Sequence, residues 1–168
     1  KILTHFIALI KFKMKNRKVL LLLAFVACSF ILNAQSKKDW TQLFNGKDLK
    51  DWKIKIKGYD LNENFGNTFS VKDKKIVVNY EAYDAFNFRY GHIFYKNPFS
   101  YYRIAVEYRF VGSQAKGGED WAFRNSGIMI HGQTPESMLK DQDFPISIEV
   151  QLLGGKSDSQ PRPTCNLC

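Results

Sequence analysis

Two stretches of the chain alternate apolar and polar residues with a period of two. In Tyr102-Arg103-Ile104-Ala105-Val106-Glu107-Tyr108-Arg109-Phe110, one side carries Tyr102, Ile104, Val106, Tyr108 and Phe110, while Arg103, Glu107 and Arg109 take the other. In Ile146-Ser147-Ile148-Glu149-Val150-Gln151-Leu152, the apolar side is Ile146, Ile148, Val150 and Leu152, leaving Ser147, Glu149 and Gln151 opposite. A side chain that changes face at every residue predicts a half-buried β-strand in both places. Shorter strands are expected at Phe69 to Lys72, Lys75 to Asn79, His92 to Tyr95 and Gly127 to His131. Turn formers separate them, at Asp73-Lys74, Asn97-Pro98, Gly117-Gly118 and Thr134-Pro135. No long helical period is seen after the first 34 residues. Many short strands, and 14 Phe, 8 Tyr and 3 Trp to fill the space between sheets, predict an all-β sandwich or jelly roll.

The amino-terminal segment follows a different pattern. Lys15, Arg17 and Lys18 precede an apolar run from Val19 to Leu32, which is the order of a secretory signal and is shorter than the roughly 20 residues a membrane-spanning helix needs. Ala34 suits a signal peptidase, so residues 1–34 are expected to be a signal peptide and the domain to occupy residues 35–168. Met14 stands just before the basic stretch, which makes residues 1–13 upstream of the expected start. Phe25-Val26-Ala27-Cys28 offers a second reading, lipidation at Cys28, but the apolar run continues beyond it through Phe30, Ile31 and Leu32. The expectation is an exported protein, periplasmic or extracellular, that meets a membrane only if lipidated.

The formal net charge of +9 points at first to nucleic acid. Six of the 25 basic residues lie in residues 1–35, which hold no acid, so the remainder has 19 basic against 16 acidic residues, a net +3 without a basic block. Nucleic-acid binding is therefore not expected. Cys165 and Cys168 form a lone C-x-x-C without the further ligands of a zinc site, and are read as loop or core cysteines.

Four motifs carry a family resemblance: Trp40-Thr41-Gln42-Leu43-Phe44-Asn45-Gly46-Lys47-Asp48-Leu49-Lys50-Asp51-Trp52, Gly91-His92-Ile93-Phe94, Arg124-Asn125-Ser126-Gly127-Ile128, and Ile148-Glu149-Val150-Gln151-Leu152-Leu153-Gly154-Gly155. Together they resemble the 3-keto-disaccharide hydrolase family. That resemblance implies a concanavalin-like jelly roll of two antiparallel sheets with carbohydrate on the concave one, and cleavage of glycosidic bonds in 3-keto-disaccharides or 3-keto-glycosides. Family members would continue into further strands after Cys168, so an incomplete domain is expected.

Glu149 and Gln151 share the polar face of their strand, where a carboxylate can act as base or acid. On the resemblance, Glu149 or His131 takes the base role, and Arg124, Asn125 or Gln151 binds substrate oxygens. Strict alternation puts Asn125 and His131 on one face. Arg124 can hold a sugar oxygen or pair with Glu119 or Asp120, and Trp121 can stack on a sugar or fill the core. Asn45-Gly46 reads as a tight structural turn. Family 16 glycosidases of the same fold carry E-x-D-x-x-E, whereas Gln151 and Gly154 stand here in place of the aspartate and the second glutamate, so a carboxylate-pair mechanism is not expected. No cofactor is evident, although a divalent metal is compatible with the chemistry. The alternative function is a non-catalytic carbohydrate-binding module on the same fold.

Overall fold

The computed structural model describes residues 40–156 and 161–168. The expected signal peptide, its cleavage site and Cys28 lie outside the described residues. Six strands form three antiparallel pairs, and among the described residues the only helical elements are short 3₁₀ turns, at Phe65–Asn67, Asp120–Ala122 and Pro135–Ser137. The chain is all-β, of the β-sandwich or jelly-roll class, as the alternation predicts.

Strand β1 (Trp52–Ile56) pairs with β4 (Gly91–Tyr95), setting Ile54 opposite Ile93 and Lys55 opposite His92. The apolar side packs inward: Ile54, Ile56 and Phe69 are the buried core, with Leu49, Tyr59, Phe65 and Ile93 against them. Gly91 faces Ile56 across the ladder, and a Cβ there would come within 3.2 Å of the Phe69 ring, so its missing side chain makes room for that ring. The opposite side is held by residues 138–144. Lys55, 3 % exposed, donates from Nζ to the carbonyls of Tyr59 (2.8 Å) and Lys140 (3.1 Å). His92 Nε2 meets the Asp143 carbonyl at 2.7 Å.

Strands β2 (Phe69–Lys72) and β3 (Lys75–Val78) form a hairpin closed by Asp73 and Lys74, both at positive φ. Two successive left-handed residues give the twist that a two-residue hairpin needs. The Asn45-Gly46 turn is closed by its own side chains: Asn45 Oδ1 accepts from the amides of Lys47 (2.7 Å) and Asp48 (3.0 Å), and Gly46 supplies the positive φ. It is the structural turn expected.

Strands β5 (Asn125–Ile130) and β6 (Ile148–Leu153) form the third pair, one or two residues offset from their expected bounds. The Tyr102 to Phe110 segment corrects the sequence reading, because it makes no ladder among the described residues. It touches the β5–β6 pair through side chains near its two ends instead of pairing by its edge. Tyr102 and Ile104 share a cavity with Ile130 and Val150, and the Phe110 ring lies against Gly154. Alternation reports which side of a segment is apolar; here Tyr102, Ile104, Val106 and Tyr108 on that side remain 37–51 % exposed, and the segment meets β5 and β6 at its two ends.

Candidate functional site

The β5–β6 register fixes which side chains stand together. Directly opposed residues of an antiparallel pair project to the same face. Asn125, Gly127 and Met129 therefore share a face with Leu153, Gln151 and Glu149, while Ser126, Ile128 and Ile130 share the other with Leu152, Val150 and Ile148. Glu149, Gln151 and Asn125 are thus brought together on one partly buried surface.

A further segment widens this surface. Cys165 to Cys168 runs antiparallel along the free edge of β6: Glu149 and Cys168 exchange both backbone hydrogen bonds at 3.0 Å, Val150 bridges Leu167, and the Gln151 amide donates to the Asn166 carbonyl at 2.9 Å. The same register places Asn166 beside Gln151, and Asn166 Nδ2 donates to Gln151 Oε1 at 3.3 Å. That contact occupies the Gln151 acceptor and leaves its amide N–H groups for a ligand. Sequence reasoning missed Asn166. The sequence reading there took only Cys165 and Cys168, as loop or core cysteines, and the stretch is too short to show a strand period.

Asn125 Nδ2 donates to the Trp121 carbonyl at 3.1 Å, which orients the amide and keeps Oδ1 as an acceptor for a hydroxyl. Trp121 is 50 % exposed, and its ring stacks at 6.1 Å on Tyr90. Tyr90 in turn donates from its hydroxyl to Glu119 Oε2 at 2.8 Å, and burial beside that carboxylate pushes its pKa up to about 12.

Glu149 carries no ion pair among the described residues, and partial burial alone raises its carboxyl above the ordinary range. A carboxylate stripped of water without a cation beside it is a stronger base than one in solution.

Two expected partners lie elsewhere. His131 departs from alternation: its φ is +51°, and its ring sits 5.9 Å from Tyr102 beside a cavity lined by Ile130 and Val150, on the face opposite Glu149. The left-handed backbone at the strand end turns it away. Arg124, also at positive φ, donates from a terminal guanidinium nitrogen to the Gly155 carbonyl at 3.1 Å, and its guanidinium lies 5.1 Å from the Phe123 ring centre. It pairs with neither Glu119 nor Asp120, and it braces the end of the β6 strand. Among the described residues no three His, Cys, Asp or Glu side chains gather as a metal-binding group, so no step below is routed through a metal.

Gly154 settles the question of a second carboxylate on this strand. A Cβ there would meet Phe110 at 2.6 Å and Arg124 Cβ at 3.0 Å, so no side chain fits.

The described residues form an all-β chain of antiparallel pairs in which Glu149 shares a sheet face with the amides of Gln151 and Asn125. The model of the 3-keto-alpha-glucoside-1,2-lyase-like domain matches residues 39–168, and the chain belongs to that family. Searches of curated proteins and of solved structures return no significant match.

Proposed function

We propose that this protein cleaves 3-keto-glycosides by elimination across C1 and C2, with Glu149 as the base. The ketone at C3 acidifies the hydrogen on C2. Glu149 takes that proton, the electron pair delocalises onto the ketone oxygen as an enolate, and its return expels the glycosidic oxygen from C1 to leave a C1–C2 double bond. The leaving oxygen gains a proton, and water then adds hydroxyl at C1 and hydrogen at C2, giving net hydrolysis. The Gln151 amide N–H groups stabilise the enolate oxygen, and Asn125 and Asn166 hold hydroxyls. The family match supports the substrate class. The observation that carries the base assignment is the solitary, partly desolvated Glu149 carboxylate on the amide-bearing face.

The basic-then-apolar order of the amino-terminal residues supports an exported location for this activity. The test is release of the leaving sugar from a 3-keto-disaccharide. Wild type should turn over, and Glu149→Gln should lose about 10²-fold or more, the ordinary contribution of a positioned base. Binding without release in the wild type would mark a carbohydrate-binding module instead.

A further inference from the structure

Gly127 lies diagonally across the β5–β6 ladder from Glu149, in the Arg124-Asn125-Ser126-Gly127 segment whose glycine has so far had no role. It is not among the residues at positive φ, so the backbone does not demand glycine there. Space does. A Cβ built on Gly127 would stand 2.5 Å from Glu149 Cγ and 2.7 Å from Cδ, and closer still to Oε1. Real Cβ contacts do not approach so near, which means that the Glu149 side chain lies folded across the Gly127 Cα and occupies the volume a side chain would take.

We infer that Gly127 is the positioning residue for Glu149: its bare Cα is the floor on which the carboxylate rests, and any larger residue drives that carboxylate off the ladder and away from the amides of Gln151 and Asn125. The inference deepens the base assignment and rests on it for its catalytic meaning, although the seating of the carboxylate is testable without substrate. Partial desolvation of Glu149 fits the same placement, since a carboxylate laid along the sheet gives up water on the side facing Gly127.

The experiment is Gly127→Ala in three readouts. In ¹³C-carboxyl NMR titration, with Glu149→Gln assigning the resonance, the Glu149 pKa should fall from its raised position toward the ordinary value of about 4.3. On a 3-keto-disaccharide, kcat should drop about 10-fold or more with a smaller change in KM, as expected when a reacting group is misplaced by about an ångström. In thermal unfolding, Gly127→Ala should destabilise the wild-type background but leave Glu149→Ala unaffected, because the side chain it collides with is gone. This last arm holds even if the single variant folds poorly. A Glu149 pKa unmoved by alanine, or an equal loss of stability in both backgrounds, would overturn the inference. Full activity in Glu149→Gln would sink the base assignment and leave the seating of the carboxylate to the NMR and unfolding arms alone.

Discussion

Lys55 and His92 stand directly opposite each other on β1 and β4, and both hold the backbone of the segment that leads into β6: Lys55 through the Lys140 carbonyl, His92 through that of Asp143. The strand bearing Glu149 is thereby anchored to the first ladder by two polar groups set among buried surroundings. Burial is the main cause that depresses the His92 pKa, opposed by the hydrogen bond to Asp143 and assisted by the charge of Lys55.

Because the folded His92 resists protonation, the unfolded chain takes up its proton more readily, and acid favours unfolding. Stability should hold above about pH 6.5, the ordinary histidine value, and decline as pH falls from there toward the lower folded value. Urea midpoints measured from pH 8 to 5 check this. His92→Gln keeps a donor for the carbonyl but cannot titrate, and should flatten that part of the profile.

Glu149 behaves with the opposite sign. Its carboxyl is raised in the fold, so above the ordinary glutamate range the folded state bears a charge it would shed more easily than the unfolded chain does. Glu149→Gln should therefore unfold at a higher temperature than wild type at pH 7, and the difference should shrink as pH falls through the raised folded value and be gone below about 4.3. A variant that gains stability while losing turnover shows a group kept for chemistry and not for packing.

Packing should dominate at Ile56, which is fully buried in the cluster with Ile54 and Phe69. Ile56→Ala should cost about 2–5 kcal/mol in denaturant unfolding, the range for a large buried aliphatic reduced to alanine. Val78→Ala, at a position 48 % exposed, should cost less than about 1 kcal/mol.

Gly154→Ala tests the contact between Phe110 and the end of β6. The added methyl would overlap Phe110 and the stem of Arg124, and should destabilise by about 1–3 kcal/mol, the usual effect of overpacking. Phe110→Ala should relieve most of that loss. Such relief would show that Phe110 lies against the end of β6.

Strand positions and faces were largely legible in the sequence, because alternation is a local property: the β2–β3 hairpin, β4, β5 and β6 all fall within two residues of their expected places. The first strand, Trp52-Lys53-Ile54-Lys55-Ile56, also alternates, but it is short and follows directly on the Asn45-Gly46 turn motif, and it is not among the strands expected from the sequence. Pairing was not legible. Whether Tyr102 to Phe110 meets a neighbour by its edge or through side chains depends on distant residues, and no period records that. In the site, Glu149, Gln151 and Asn125 were reachable because their strands stay regular throughout. His131 and Arg124 sit at the two ends of β5 with left-handed backbone, where alternation stops and extrapolation by parity fails. The seating of Glu149 on Gly127 required coordinates, since it is a diagonal contact between segments 22 residues apart.

Removal of the C2 hydrogen is the step on which the account turns, and a 3-keto-disaccharide carrying deuterium at that carbon reads it directly. Mass spectrometry of the keto-sugar released in ordinary water should find the deuterium replaced by hydrogen, with the replacement lost together with turnover in Glu149→Gln. Product that keeps its full deuterium content and forms as fast as from the undeuterated sugar would mean that the glycosidic bond breaks without abstraction at C2, which contradicts the mechanism.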